Sequence, residues 1–184
     1  TLDSNYGGGN GVAFNAFGVS PGFSASALDV ALQPDGNIVA LGRRDNGPSD
    51  IDLLLTRFDV NGSLDAAFDG DGYIAIPVGG SNLVPTNVAL HPNGKIIASC
   101  RYDAAEGGIA LFQYLSNGAP DPTFDDDGVM LSVPTGAPTI AFYATQLLVQ
   151  PDGRVLVSGF ETNTPEPVHL LARLAGGAPN LPND

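Results

Sequence analysis

Two turns hold the densest sets of oxygen ligands in the sequence: Asp69-Gly70-Asp71-Gly72 and Asp125-Asp126-Asp127-Gly128. Calcium takes roughly six to eight oxygens, and short Asp-x-Asp-Gly loops can supply several of them. The EF-hand spacing with its closing Glu is absent, however, and the corresponding N-terminal turn, Gly7-Gly8-Gly9-Asn10, carries no acid. An ion built into a repeat needs its ligands in every copy, so these turns read as solvated and no metal is expected. His91 stands where Gln33 and Gln150 stand in the other repeats, and His169 lies in a strand pattern, so both read as structural. Gly-x-Ser-x-Gly and His-Glu-x-x-His are absent. Asp35, Asn93 and Asp152 alternate between acid and amide, which a turn residue tolerates and a general base does not. Arg57 and Arg173 occupy equivalent strand positions in a chain poor in cations; a buried Arg bonding Asp65 or Asp121 is the expected role. Tyr73, Tyr102, Tyr114 and Tyr143 could line a carbohydrate surface, although Tyr114 aligns with Phe58 and Leu174 and so reads as packing. Asn61-Gly62-Ser63 matches a glycosylation sequon but coincides with a repeat turn. No catalytic residue, cofactor site or metal site emerges, and the chain is read as non-enzymatic.

The elements that position these residues repeat. LQPDGNIVALG (32–42) returns as LHPNGKIIASC (90–100) and LVQPDGRVLVSG (148–159), anchored by Pro34, Pro92 and Pro151. Each copy is a strand, a Pro-Asp/Asn-Gly turn and a second strand: proline presets φ, and Gly accepts the positive φ of a tight hairpin. Further strands are expected over 51–60, 73–78, 108–115, 129–133 and 168–174, with GVAFNAF (11–17) as an additional one. A connector pattern precedes the closing strand of each copy: TLDSNYGGGN (1–10), SLDAAFDGDG (63–72) and APDPTFDDDG (119–128). The tail GGAPNLPND echoes its opening at Gly177-Ala178-Pro179-Asn180, and then no strand follows. Apolar runs at 53–55, 95–97 and 155–157 read as strands buried on both faces.

The 184 residues, 43% hydrophobic, suffice for an ordinary core. Gly (24) and Pro (15) suit short strands joined by tight turns, while strong helix formers are scarce, so an all-β chain is expected. The formal net charge of −13 argues against nucleic acid and against docking on an anionic membrane. No apolar run is long enough to span a membrane. Cys100 is alone, so no intrachain disulfide can form. The chain starts at Thr1 without a signal peptide, the pattern expected of a processed mature protein or an excised segment.

The combined motif resembles the bacterial delta-60 repeat, a β-propeller-like repeat of uncharacterised function. Its residues here are Gln33-Pro34-Asp35-Gly36, Arg57-Phe58, Gly62-Ser63-Leu64-Asp65 and Phe68 in the first copy. The second copy has His91-Pro92-Asn93-Gly94, Gln113-Tyr114, Gly118, Asp121 and Phe124; the third has Gln150-Pro151-Asp152-Gly153 and Arg173-Leu174. Gln113 in place of Arg, Pro120 in place of Leu and the shortened last repeat depart from the pattern. The resemblance implies a secreted or cell-surface bacterial protein and offers no catalytic residues to transfer.

The expected organisation is an N-terminal connector and donor strand (1–20), repeat 1 (21–80), repeat 2 (81–135), and an incomplete repeat 3 with tail (136–184). This gives three four-stranded propeller-like blades, the last completed by the N-terminal strand of this or another chain. Three blades are too few to close around an axis without crowding. The expected function is therefore an acidic, exported structural or protein-interaction module that self-associates by strand exchange. Two chains swapping reciprocally form a two-fold six-bladed ring, and head-to-tail exchange forms a filament; a fragment of a longer propeller is the alternative to such completion between chains. The alternative is a carbohydrate- or peptide-binding propeller with a glycan or protein ligand on one loop face.

Overall fold

The computed structural model describes residues 1–14, 17, 24–47, 50–77, 83–102, 107–132, 142–161 and 168–174. The C-terminal echo at Gly177–Asn180, the end of the third repeat and most of the loop after GVAFNAF lie outside the described residues. Those described are strands and turns, with no helix among them. The strands are β1 (Ala25–Leu32), β2 (Ile38–Gly47), β3 (Asp50–Phe58), β4 (Tyr73–Pro77), β5 (Leu83–Leu90), β6 (Ile96–Tyr102), β7 (Gly107–Tyr114), β8 (Val129–Ser132), β9 (Phe142–Val149), β10 (Val155–Glu161) and β11 (Val168–Leu174).

The chain divides into two compact units, Thr1–Gly80 and Ser81–Asp184. The first holds an antiparallel meander, β1-β2-β3-β4. The second holds a seven-stranded sheet, in which β5-β6-β7-β8 form one antiparallel meander and β9-β10-β11 another. The two are joined by a short parallel ladder, Gly107↔Phe142 and Gly108↔Tyr143. Three separate sheets were the expectation from the repeats; the join differs for a local reason. β8 pairs only with Ile109–Phe112 of β7, which leaves the backbone groups of the two preceding glycines free to bond to β9.

The three QPDG-type hairpins form as their turn chemistry dictates. Asp35, Asn93 and Asp152 each accept, through Oδ1, the N–H two residues on, at 3.0, 3.2 and 3.1 Å. Gly36, Gly94 and Gly153 sit at φ 88, 84 and 83°, where a Cβ is disfavoured. Burial on both faces holds for the first two repeats, with Leu53, Leu54, Leu55, Ile96 and Ile97 all inside. In the third, Val155 and Val157 are buried whereas Leu156 is only half-buried.

One expected strand is not there. Among the described residues of GVAFNAF (11–17) none joins a ladder. Phe17 sits at φ 47°, its ring meets the edge of Tyr73 at 5.5 Å, and its carbonyl accepts from Arg44 Nη1 at 3.0 Å. Ala13, Phe14 and Phe17 instead line a cavity of about 220 Å³ with residues of β1, β2 and β3. A segment can add a strand only where an edge is offered. Here it lies against its own unit.

Candidate functional site

The residues singled out by type converge on one recurring feature, the junction where each connector returns to the strand it has just left. In the first unit β3 ends in a turn whose Asp59 Oδ1 accepts the N–H groups of Asn61 and Ser63, both at 2.9 Å. That is the turn coinciding with the sequon. The chain then doubles back: Phe58 bridges Leu64, Asp65 N–H donates to Arg57 O (3.0 Å), and Arg57 N–H donates to Gly72 O (2.9 Å). Both backbone groups of Arg57 are thus clamped by the two ends of the connector. Its guanidinium Nε reaches Asp65 Oδ2 at 2.8 Å and lies over the Phe68 ring, 4.9 Å from the centroid. Asn37, just past the hairpin turn, donates to the same carboxylate at 3.3 Å. Phe68 is fully buried beneath.

The second unit repeats the clamp with other side chains. Asp121 N–H donates to Gln113 O (2.9 Å) and Gln113 N–H donates to Gly128 O (2.8 Å). Asp121 is 1% exposed, and its Oδ2 accepts from both Gln113 Nε2 and Lys95 Nζ at 2.6 Å. Burial alone pulls the Asp121 carboxyl up. Hydrogen bonds from Lys95, Gln113 and Thr123 outweigh it and leave the group well below the ordinary carboxylate range. Lys95 and Gln113 occupy the positions of Asn37 and Arg57. Each junction therefore sets one cation and one amide around its carboxylate, on exchanged positions.

A third connector lies at the N-terminus and has the same internal bonding. Asp3 Oδ1 accepts the Asn5 N–H, as Asp65 accepts Ala67 and Asp121 accepts Thr123. Tyr6 N–H reaches Asp3 O, and Gly11 N–H reaches Tyr6 O at 2.9 Å, where Gly72 and Gly128 reach Phe68 and Phe124. Asn10 Oδ1 accepts the Val12 N–H, as Asp71 accepts Tyr73 and Asp127 accepts Val129. The glycine is required at this position. A Cβ on Gly11, at φ 76°, would stand 2.9 Å from Asp3 N, and one on Gly128 would stand 3.1 Å from Asp121 N. The Asp71 and Asp127 carboxylates are thus engaged in turn bonds. Among the described residues no three acids, histidines or cysteines come together at a metal-binding distance.

The other candidates are dispersed. His91 is buried beside the second junction. Burial lowers its pKa and Lys95 adds to that, while a hydrogen bond with Gln113 and the charge of Asp121 act against them. His169 is exposed on β11. The Cys100 thiol is buried, which pushes its pKa up. Tyr114 is buried as packing requires, Tyr73 contacts Phe17, and Tyr143 stacks on Phe160 at 5.5 Å. Tyr102 is on β6, its side chain outside the described residues. Arg173 is exposed, in contrast to the buried Arg57 and Gln113.

Reading by type missed Asn37 and Lys95, whose repeat position varies as Asn, Lys, Arg while the strand position varies as Arg, Gln, Arg. The exchange of cation and amide between the first two copies was the available signal. It also missed the pair Arg44–Asp52 at 2.5 Å, largely buried on β2 and β3.

The fold and these junctions are those of an all-β, propeller-like repeat protein. A family model described as a domain of unknown function (DUF5122) β-propeller matches residues 33–68, which run from the first hairpin turn to Phe68 and include Asn37, Arg57 and Asp65. No curated protein matches the chain. Among solved structures, the chain is similar to a protein of unknown function from Dyadobacter fermentans DSM 18053, with 18% identity and a TM-score of 0.47. The similarity covers 88% of this chain and 39% of that one, so the chain spans well under half of that protein's length.

Proposed function

We propose that this chain is a non-enzymatic, secreted or cell-surface module of the delta-60 repeat type, acting in structural assembly or protein interaction and self-associating by strand exchange. Its three repeats are propeller blades, two closed by their own fourth strands and the third closed by an N-terminal segment supplied from outside. The observation that carries this reading is β11. Among the described residues it is the outer strand of its sheet, with Leu171 70% exposed, and residues 2–12 have the same internal bonding as the connectors that precede β4 and β8. An exposed edge invites another chain, and main-chain hydrogen bonds supply the affinity. Sedimentation of the full chain is expected to give a mass above that of one copy, and deletion of residues 1–18 is expected to reduce it to the monomer. A truncated chain that keeps the native mass and stability overturns the reading.

The stacked pair Tyr143 and Phe160 favours a second reading, binding of a carbohydrate or peptide, because Phe160 is 38% exposed and the rings lie 26° from parallel. Binding on a glycan array that is lost in Phe160→Ala supports it, and silence across the array counts against it.

A further inference from the structure

We infer that each repeat holds one ordered water at the residue before its turn proline, where the water donates a hydrogen bond to Gln33 Oε1, His91 Nε2 or Gln150 Oε1. The first argument is recurrence. The backbones of these three residues are bonded alike. Their N–H groups donate to the carbonyls of Asn37, Lys95 and Arg154 at 2.8, 2.8 and 2.7 Å, and their own carbonyls accept from Gly36, Gly94 and Gly153 at 2.9 Å. The side chains therefore leave the three hairpins from equivalent places. Glutamine Oε1 and histidine Nε2 stand the same number of bonds from Cα, so they reach equally far. Each of the three atoms is shut off from solvent, and among the described residues none has a hydrogen-bond partner. Gln33 and His91 are only 7% and 8% exposed. Buried polar atoms are bonded with few exceptions, and ordered water serves those that the protein itself does not. One such atom is an exception; the same position in three repeats is a site.

The second repeat fixes the direction of the bond. Gln113 Nε2 donates to Asp121 Oδ2 at 2.6 Å, which leaves Gln113 Oε1 to accept the hydrogen bond from His91. Because His91 Nε2 takes no part in that bond, the ring proton sits on Nδ1 and Nε2 presents a lone pair. An imidazole nitrogen without a proton can only accept, so its partner must donate. Lys95 stands close enough for its charge to act on His91. Its ammonium carries three protons, and Asp121 Oδ2 and Thr123 Oγ1 take two of them, at 2.6 and 3.1 Å. A water that accepts the third and donates to His91 Nε2 completes both groups and ties the hairpin to the junction behind it.

Water is the molecule that suits every repeat. The residue three past the proline changes from Asn37 to Lys95 to Arg154, in shape and in charge, around an acceptor position that does not change its role. A ligand of fixed shape fits one of these surroundings. Water turns its two donors and two acceptors to meet each. The site lies within each repeat and is independent of how copies of the chain associate.

The sign of a stability change tests this. Methionine matches glutamine in length and has no oxygen to satisfy. If Gln33 Oε1 has no partner, Gln33→Met removes a buried unmade bond and the folding equilibrium constant, read by urea titration, rises. If a water donates there, the constant falls by roughly three- to tenfold, the worth of one net hydrogen bond, and Gln150→Met falls in the same direction. A constant for Gln33→Met that is unchanged or raised overturns the inference. Two measurements on the unaltered chain do not depend on the variants folding. Two-bond ¹H–¹⁵N correlation at about pH 8, above the ordinary imidazole range, should show His91 protonated at Nδ1 and bare at Nε2; a proton on Nε2 overturns the assignment. A high-resolution crystal structure should show a water within about 3.2 Å of Gln33 Oε1, His91 Nε2 and Gln150 Oε1. No water at Gln33 or none at His91 overturns it as well.

Discussion

Replacing Lys95 by Asn gives the second repeat the residue that the first repeat carries at that position, Asn37, without the arginine that accompanies it there. Asp121 would then keep its bonds from Gln113 Nε2 at 2.6 Å and from Thr123, through N–H at 3.1 Å and Oγ1 at 2.8 Å, but lose its cation. Stripping all compensation from a buried charge costs about 3–5 kcal/mol. Three donors remain here, and Lys95 is itself 25% exposed, so the loss is nearer that of one charge-assisted hydrogen bond, about 2 kcal/mol. For a chain of this length that is a fall of roughly 4–8 °C in the unfolding midpoint.

The same reasoning requires that Lys95→Asn with Gln113→Arg rebuild the junction of the first repeat, Arg57–Asp65–Asn37, and recover most of that loss. Urea and thermal unfolding of wild type, both single variants and the double variant measure the coupling directly. The pH dependence adds a check of sign. The folded value of Asp121 lies below its ordinary 3.8, so the stability it contributes is present above that value and is lost as pH falls through the folded one. The penalty of Lys95→Asn should accordingly be full at neutral pH and shrink as pH is lowered from about 4. A single variant within about 0.5 kcal/mol of wild type at pH 7, the ordinary range for inert surface changes, or a double variant no better than the single, refutes the charge-exchange account.

The remaining predictions concern the same framework. His91 has a folded pKa below its ordinary 6.5, so the chain should lose stability as pH falls from that value; His91→Gln, the residue of the other two repeats, should flatten the decline in a pH series of melts. Gly128→Ala and Gly153→Ala both force a left-handed backbone on alanine. Only the first meets backbone, at 3.0 Å from Gln113 O, so it should be the more destabilising by at least about 1 kcal/mol in urea titrations. EDTA should leave the melting temperature unchanged, because the Asp71 and Asp127 carboxylates already serve the turn N–H groups of Tyr73 and Val129. A drop of several degrees would place an ion in those turns.

The hairpins were legible because everything that makes them is local. Pro, Asp or Asn, and Gly fix the turn and the flanking β-branched residues fix the arms, and the strands expected over 51–60, 73–78, 108–115, 129–133 and 168–174 start within one residue of β3, β4, β7, β8 and β11. The Arg57–Asp65 ion pair was legible for the same reason, since a tight turn returns the chain onto its own strand. The contact of Lys95 with Asp121 spans a whole strand pair, and nothing within a short window distinguishes Lys95 from a solvated turn residue. GVAFNAF has the composition of a strand, but strand formation needs a partner edge, and composition does not say which edge is offered or by which chain.

Exchanging the cation between hairpin and strand has a consequence for assembly. The backbone clamp is the same in the first two repeats, because Arg57 and Gln113 bond their connectors through identical N–H and C=O groups. Backbone pairing alone therefore cannot tell one connector from another, and a chain of near-identical repeats is exposed to mispairing between them. Discrimination has to come from side chains. A connector carrying Asp lowers the energy of a strand with a neighbouring cation, so Asp65 is matched by Arg57 and Asp121 by Lys95.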